Sequence, residues 1–206
     1  MLVLSPHTDD AELGAGGLIA RALREGANVF VAVFSNAVES LPAGSPPDRL
    51  TKEFEASMSL LGIAPTNYRL FDYPVRRLSD HRQAVLEHLV RLRRELAPQI
   101  VLVPASTDLH QDHQVVYNEG LRAFKDVTVF GYELPWNHVS FHAQCFAEIS
   151  AEDRALKSRA LQEYQSQVEL ERPYFTATFL ESLARVRGTQ ARVPLAEAYE
   201  VTRIRI

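Results

Sequence analysis

The fold is indicated by a short stretch near the N-terminus, residues 2–10, which reads Leu2-Val3-Leu4-Ser5-Pro6-His7-Thr8-Asp9-Asp10. Its apolar half has the composition of a short buried strand, and a polar turn with one imidazole and two carboxylates follows at once. A second stretch repeats this arrangement, because the apolar residues 100–103 precede His110-Gln111-Asp112-His113. Both polar stretches therefore lie where a strand is predicted to end and a loop to begin.

Strand and helix patterns alternate through the first 132 residues. Continuous apolar runs predict further strands at residues 29–34, 68–71 and 127–132, and apolar residues at helical spacing predict helices between them. Such continuous runs are typical of strands covered on both faces, and their alternation with helices implies a parallel sheet. We therefore predict an α/β fold: a Rossmann-like, doubly wound, mostly parallel sheet with helices on both faces and an order such as 3-2-1-4-5.

The last third of the chain carries a weaker pattern. Residues 145–149 predict a strand, residues 154–164 a helix, and residues 198–206 a closing strand that is a candidate for an edge position. No repeat or linker divides the chain. Its 206 residues suit one domain, so residues 1–206 are predicted to form a single domain.

The composition of the chain limits the classes of partner that it can be expected to bind. The net charge is −4, and Lys and Arg form no patch, which argues against nucleic acid as a partner. Cys145 is the only cysteine, so an internal disulfide is excluded and a reducing cytoplasm is compatible with the chain. No apolar run approaches the length of a membrane span. We expect a soluble, cytoplasmic protein that acts on a small molecule without a membrane partner; a homo-oligomer is compatible with these features.

The two polar stretches are predicted to meet in space. In open parallel sheets, ligands bind beyond the carboxyl ends of the strands, where the strand order reverses. The first strand and the strand at residues 100–103 are the expected neighbours at that point. A catalytic zinc ion commonly takes three protein ligands and keeps one open position. His7, Asp10 and His113 are the predicted ligands of one zinc ion per chain, and another divalent ion is also compatible with them.

The remaining polar residues of the two stretches suit the chemistry of hydrolysis. Asp9 lies between two predicted ligands and is free to act as a general base on water. His110, if protonated, would stabilise the oxyanion of a tetrahedral intermediate. Asp112 would orient a ring nitrogen of a histidine ligand. These residues together predict a metal-dependent hydrolase.

Two other interpretations of these residues compete with a metal site. A His-x-Asp-Asp sequence is also typical of a helix N-cap, because aspartate caps helices well. The glycines at 14, 16 and 17 suggest a dinucleotide fingerprint, but that fingerprint requires a glycine at position 19, which is Ile19. We interpret these glycines as permitting close packing of a helix beneath the metal.

With these two polar stretches, the chain resembles the PIG-L/LmbE-like zinc-dependent N-acetylglucosaminyl deacetylases. The first family motif is approximately His-Pro-Asp-Asp-x-Glu-Leu-Gly-x-Gly-Gly, and residues 7–17 match it apart from Thr8 in place of proline. The second motif, Asp-x-His-x-Asp-His, matches residues 108–113. Weaker matches extend the resemblance to nearly the whole chain.

The resemblance implies zinc-dependent hydrolysis of an N-acetyl group, usually on an amino sugar. It places zinc on the residues matching His7, Asp10 and His113, the base at Asp9 and the oxyanion partner at His110. It also implies that an arginine before the second helix binds the sugar; Arg49 is the nearest match, one position from the usual spacing to Glu53.

The substrate itself stays open at this stage. A deacylase for a non-sugar amide, such as a modified amino acid or a secondary-metabolite precursor, is the first alternative. A non-catalytic, Rossmann-like nucleotide-binding module is the second. Residues 35–47, 73–77 and 136–142 are predicted to form the loops that determine specificity. Trp136, in the last of these, is predicted either to stack on a sugar or to close the core.

Overall fold

The structure, a computed structural model, describes residues 1–205, and Ile206 lies outside the described residues. The strands are β1 (Leu2–Ser5), β2 (Phe30–Val33), β3 (Tyr68–Leu70), β4 (Ile100–Pro104), β5 (Thr128–Tyr132), β6 (Cys145–Glu148) and β7 (Ala196–Arg203). The helices are α1 (Asp10–Arg24), α2 (Arg49–Leu61), α3 (Arg82–Leu96), α4 (Gln111–Ala123), α5 (Ala151–Gln162), α6 (Gln165–Val168) and α7 (Ala177–Ala191).

The seven strands form one mixed sheet in the order β3-β2-β1-β4-β5-β7-β6. Strands β1 to β5 are parallel to one another, whereas β7 is antiparallel to both β5 and β6. The predicted α/β class and the order 3-2-1-4-5 are thereby confirmed. The prediction of an edge position for the closing strand is wrong, because β7 pairs on both sides and β6 takes the edge.

Helices cover both faces of the sheet because side chains alternate along each strand. Val3 of β1 belongs to the core with α1, α2 and α5, whereas Leu2 and Leu4 belong to the core with α3 and α4. All three side chains are fully buried. Strands buried on both faces explain why the apolar runs in the sequence are continuous.

Helix α7 is the main element that the sequence pattern did not predict. It packs near β7 and β6, and Ala184 joins a small buried cluster with Ile149 and Leu195. Only a few of its residues are buried, so its apolar stripe is narrow. Within residues 1–205, no helix combines the length and the apolar character that crossing a bilayer requires.

Candidate active site

The turn after β1 is held by a short hydrogen-bond network. The Ser5 hydroxyl donates to the carbonyl of His7 at 2.6 Å and accepts from the amide of Ala11 at 3.0 Å. The amide of His7 donates to Asp10 Oδ2 at 2.8 Å. Since Asp10 is the first residue of α1, these bonds fix both side chains at the carboxyl end of β1.

The second polar stretch begins α4 in a similar way. His110 is the N-cap of α4, and its Nδ1 accepts a 3.2 Å hydrogen bond from the amide of Asp112. Because β4 pairs with β1 in parallel, this helix begins at the same edge of the sheet as α1. The two stretches meet where the strand order reverses, as expected for an α/β site.

Three donor atoms from the two stretches form a compact triangle. His7 Nδ1 lies 3.1 Å from Asp10 Oδ2 and 3.3 Å from His113 Nε2, and His113 Nε2 lies 3.3 Å from Asp10 Oδ2. A tetrahedral zinc ion with bonds of about 2.0–2.1 Å places its ligand atoms about 3.4 Å apart. The triangle therefore has the dimensions of one face of such a site, and the residues present fit a metal ion.

Carboxylates hold the outward nitrogens of both histidines. Asp112 Oδ2 lies 3.0 Å from His7 Nε2, and Asp108 Oδ2 lies 2.8 Å from His113 Nδ1. Such partners fix the ring orientation of metal-binding histidines and make the inward nitrogen more basic. Sequence reasoning assigned no role to Asp108, although its place in the second motif is a signal that could have found it.

The electrostatics at His7 favour a positive charge. Burial lowers the pKa of His7, but Asp10 and Asp112 more than offset it and raise this pKa to about 10. Burial likewise pushes the pKa of Asp112 upward, yet hydrogen bonds from His7, Arg76 and Leu78 hold it below its usual range. The pocket between these carboxylates thus stabilises a cation, which a metal ion would supply in place of the proton.

An alternative donor set replaces Asp10 with His110. One ring nitrogen each of His7, His110 and His113 lie within 4.8 Å of one another. The set with Asp10 has edges of 3.1 to 3.3 Å, close to the edge of about 3.4 Å expected for a tetrahedral site. His110 Nδ1 is also engaged by the amide of Asp112. The geometry therefore favours Asp10 as the third donor.

Asp9 occupies the N-cap of α1, but its role there is not that of a cap. Across residues 1–205, its side chain makes no capping hydrogen bond. Burial raises the pKa of Asp9 to about 6, with a further contribution from Asp10, while His7 and Arg172 oppose the rise. The carboxylate lines a cavity beside the donor triangle, so it is available to exchange a proton.

His110 is held as a neutral imidazole. Burial is the main reason that the pKa of His110 falls to about 4, and the neighbouring His113 and His7 lower it further. Since Nδ1 accepts the Asp112 amide bond, the neutral tautomer carries its proton on Nε2. His110 can thus donate a hydrogen bond as a neutral imidazole. The sequence-based prediction had instead required a protonated His110.

The cavity has a volume of about 300 Å³ and draws on distant parts of the chain. The three predicted loops all contribute to it, through Ala37 and Ser40, Val75 and Arg76, and Trp136 and Asn137. Gln167, Arg172 and Tyr174 complete the lining and were not predicted from sequence. Gln167 ends one of the weaker family matches, residues 164–167, which could have pointed to it, whereas Arg172 and Tyr174 lie outside any motif.

Of the two residues considered for substrate binding, Trp136 lines the cavity and Arg49 does not. Trp136 lines the cavity and stacks on Tyr174, with ring centroids 3.8 Å apart. Arg49 is not among the residues that line the cavity within the described part of the chain. Its guanidinium pairs with Glu53 at 3.0 Å and Glu169 at 2.6 Å. Substrate binding by Arg49 stays a prediction that this geometry does not support.

The glycines of α1 serve packing. A Cβ on Gly14 would overlap the ring of Tyr132, one on Gly16 would lie 2.8 Å from Lys157 Cγ, and one on Gly17 would lie 2.8 Å from Ile149 Cδ1. The interpretation of these glycines as close-packing positions is confirmed. Because side chains of the protein fill the space above them, this placement does not favour a nucleotide phosphate there.

Comparison with known proteins places the chain in a family. The family model "PIG-L: GlcNAc-PI de-N-acetylase" matches residues 2–124. The uncharacterized deacetylase YaiS of Escherichia coli K12 is 28% identical over 173 residues, which cover 81% of this chain and 90% of YaiS. The chain therefore belongs to the PIG-L family, and the predicted resemblance is confirmed.

Solved structures share the fold at lower identity. The N,N'-diacetylchitobiose deacetylase of Pyrococcus horikoshii has a TM-score of 0.81 and 19% identity, covering 98% of this chain and 82% of its own. GalB of Pseudomonas putida KT2440, a 4-carboxy-2-hydroxymuconate hydratase, has a TM-score of 0.79 and 22% identity, covering 100% and 96%. The family assignment, rather than the fold, supports the enzyme class: the protein is an N-deacetylase.

Proposed function

We propose that this protein hydrolyses the N-acetyl group of an amino sugar or sugar conjugate, with one zinc ion held by His7, Asp10 and His113. The observation that carries the proposal is the triangle of donor atoms, with edges of 3.1 to 3.3 Å, beside an uncapped Asp9 in one cavity. The family description and the name of the Pyrococcus enzyme support an N-acetylated sugar as the substrate. The cavity volume lies at the lower end of the range for small-molecule sites, about 300–1,000 Å³.

A metal ion held by His7, Asp10 and His113 would supply Lewis acidity, which would polarise the acetyl carbonyl and lower the pKa of water towards about 7. Asp9 accepts a proton from the attacking water as the water oxygen bonds to the carbonyl carbon. Its raised pKa suits this task, because a base that titrates near working pH can also return the proton. Asp9 then protonates the leaving nitrogen as the C–N bond breaks, and the products are acetate and a free amine.

His110 is proposed to bind the oxyanion that forms on the acetyl oxygen. Its Nε2 proton faces away from the Asp112 amide bond, so it remains free to donate. A neutral donor placed in advance stabilises developing charge without reorganisation. Asp112 and Asp108 act on the reaction indirectly, since they orient the rings of His7 and His113.

Fold similarity alone does not select this reaction, since GalB shares the fold and is a hydratase by name. A direct assay separates the candidates. Purified, zinc-loaded protein should release acetate from N-acetylglucosamine or N,N'-diacetylchitobiose, and chelation should abolish this release. N-acetylated amino acids serve as the second arm. Acetate release from amino acids alone would favour the non-sugar amide reaction, and no release from N-acetylated amino acids or from N-acetylated sugars, neutral or anionic, would refute deacetylation.

One variant tests the proposed base directly. Asp9→Asn should retain zinc, because Asp9 is outside the donor triangle, while kcat falls by about 10²–10⁴-fold, the usual contribution of general acid–base catalysis. Asp72→Asn, at an exposed position, is the matched control and should behave as the unmodified protein. Full activity of Asp9→Asn would remove Asp9 from the mechanism. The cytoplasmic location and the oligomeric state stay predictions of the sequence.

A further inference from the structure

Two arginines line the active-site cavity, and both come from outside the metal-binding motifs. Arg76 lies between β3 and α3 and is exposed, whereas Arg172 lies between α6 and α7 and is half-buried. Neither has a role in the proposed deacetylation step. Cations that line a substrate cavity without a chemical role are candidates for recognising part of the substrate.

Arg172 is held rigidly by neutral partners. Its Nε donates to Gln167 Oε1 at 3.0 Å, and its Nη1 donates to the Tyr174 hydroxyl at 2.9 Å. Tyr174 is itself fixed by its stack on Trp136, with an interplanar angle of 12°. Arg172 Nη2 has no hydrogen-bond partner among residues 1–205. The guanidinium is therefore preorganised with one donor group left for a ligand.

The neutral character of these partners distinguishes Arg172 from other arginines of the protein. Arg24, Arg49 and Arg187, for example, are each paired with a carboxylate. Within the described residues, neither Arg172 nor Arg76 has a carboxylate within ion-pair distance. Their positive charges are therefore not neutralised by a direct ion pair, and they remain available to a ligand in the cavity.

The contacts that hold Arg172 continue through buried residues to Arg49, the arginine that was predicted to bind the sugar. Gln167 is buried and donates to Ser166 Oγ at 3.2 Å, and the Ser166 hydroxyl donates to Glu53 Oε2 at 2.5 Å. Glu53 in turn pairs with Arg49. Arg49 thus belongs to the scaffold behind the cavity, while Arg172 presents its guanidinium to the cavity itself.

Arg76 is tied to the metal-binding motif by its backbone. Its amide donates to Asp112 Oδ2 at 2.5 Å, and the same oxygen contacts His7. Its φ of +65° is in the left-handed region, which is uncommon for a residue with a side chain. Unusual backbone conformations persist where the surrounding structure enforces them, and they are frequent at ligand sites. The position of Arg76 at the cavity is therefore well determined.

The distribution of charge in the cavity indicates the sign of the ligand. The cavity lining contains two carboxylates, Asp9 and Asp10, and two guanidinium groups, so these four charges cancel. A divalent metal ion on the donor triangle would add two positive charges, and the carboxylates of Asp112 and Asp108 behind the histidine ligands would offset them. Arg172 and Asp9 line the same cavity, which places the guanidinium within reach of a substrate at the reacting centre. Asp10, Asp112 and Asp108 all lie at the donor triangle or behind it, so Arg172 and Arg76 are left as cations without a direct carboxylate partner among the described residues. Such cations in a cavity attract anions.

We propose that Arg172, together with Arg76, recognises a carboxylate or phosphate group on the N-acetylated sugar. The inference rests on the proposed function, because it concerns the substrate of the same site. Guanidinium groups suit both anions, since they offer parallel donors in a fixed plane. The preferred substrate is accordingly an anionic N-acetyl amino sugar rather than the neutral one.

The test compares one neutral sugar with three anionic ones. Acetate release by the zinc-loaded protein is measured with N-acetylglucosamine, its 1-phosphate, its 6-phosphate, and N-acetylmuramic acid, which carries a carboxylate. At least one anionic sugar should exceed the neutral sugar in kcat/KM by about ten-fold or more, as expected for hydrogen bonds to a charged group. The two phosphates and the carboxylate also show which anion is preferred.

Variants assign the preference to Arg172. Arg172→Gln should lower the ratio of kcat/KM for the anionic sugar over that for the neutral sugar towards one, because a lost charge pair affects the charged ligand selectively. Arg172→Lys should retain part of the advantage. Arg159→Gln, at an exposed position on α5, is the control for loss of one positive charge. Thermal unfolding of each variant shows whether the fold is intact.

A binding arm separates this inference from the proposed function. Calorimetry measures Kd for the expected products, glucosamine and its two phosphates, which cannot be turned over. Tighter binding of a phosphate that Arg172→Gln abolishes supports the inference even without acetate release, and the absence of release then counts against deacetylation. Equal handling of neutral and anionic compounds, or equal losses for both in Arg172→Gln, would overturn the inference.

Discussion

The hydroxyl of Tyr164 donates a 2.7 Å hydrogen bond to the backbone carbonyl of Thr8, across 156 positions of the sequence. Both residues are fully buried. The same hydroxyl oxygen lies 2.7 Å from Glu12 Oε1, so it connects the turn that carries Asp9 to the first turn of α1. A residue near the end of α5 therefore supports the turn on which the proposed base is placed.

Tyr164→Phe should reduce catalysis without removing the metal. The carbonyl of Thr8 loses a buried partner, which should cost about 1–3 kcal/mol of unfolding free energy. The turn can then shift, and a small misplacement of the base should lower kcat by about ten-fold or more. Zinc content and KM should stay nearly unchanged. Tyr68→Phe, on β3, is the control; unaltered kcat in Tyr164→Phe would show that the turn holds without this bond.

Metal analysis should distinguish His113 from His110. His113→Ala removes one corner of the donor triangle, so the purified protein should contain little zinc. His110→Ala should retain about one zinc per chain while kcat falls by about 10²–10³-fold, as for loss of one oxyanion donor. Elemental analysis and acetate release measure the two effects. Loss of zinc in His110→Ala would instead favour the three-histidine set.

Gly14→Ala should destabilise the fold through a steric conflict. The added methyl group would overlap the buried ring of Tyr132, whose hydroxyl is fixed by a 3.0 Å bond to the carbonyl of Leu4. Forcing extra volume into a packed core costs about 1–3 kcal/mol. Urea unfolding measures this loss. An unchanged unfolding midpoint would show that α1 can move away from β5 at little cost.

Asp153 should contribute stability that depends on pH. Burial pushes its pKa upward, but hydrogen bonds from Arg24, at 2.9 Å from Nη2, and from Ser150 hold this pKa below the usual range. Because the folded pKa is depressed, the contribution is present above the unfolded pKa of about 3.9. It is lost as the pH falls through the folded value.

Asp153→Asn should therefore lower the unfolding free energy at pH 7 by about 1 kcal/mol, the usual worth of a capping interaction. The difference between the two proteins should shrink as the pH falls to about 3, below the unfolded pKa. Urea unfolding at both pH values measures it, and Glu152→Gln, exposed in the same helical turn, is the control. A difference independent of pH would mean that the charge of Asp153 does not matter.

Much of the fold was predictable because the parallel half of the sheet leaves a strong local signal. Strands β1, β2 and β4 are buried on both faces, so their apolar runs are continuous and short. The last third was harder for a physical reason. Strand β7 has a partly exposed C-terminal half, although it lies inside the sheet, and α7 buries only a few side chains. The apolar residues of neither element are therefore spaced as its position in the fold would lead one to expect.

The same distinction applies to the site. The fold class and the two polar stretches could be predicted from the sequence, because strand ends and short turns are properties of neighbouring residues. The contact of Asp108 with His113, the lowered pKa of His110 and the position of Arg172 rather than Arg49 at the cavity emerge only in the folded chain. Those relationships depend on burial and on contacts between segments far apart in the chain, such as the bond between Tyr164 and Thr8. Local sequence carries no record of such contacts, since they arise only when the helices close on the sheet.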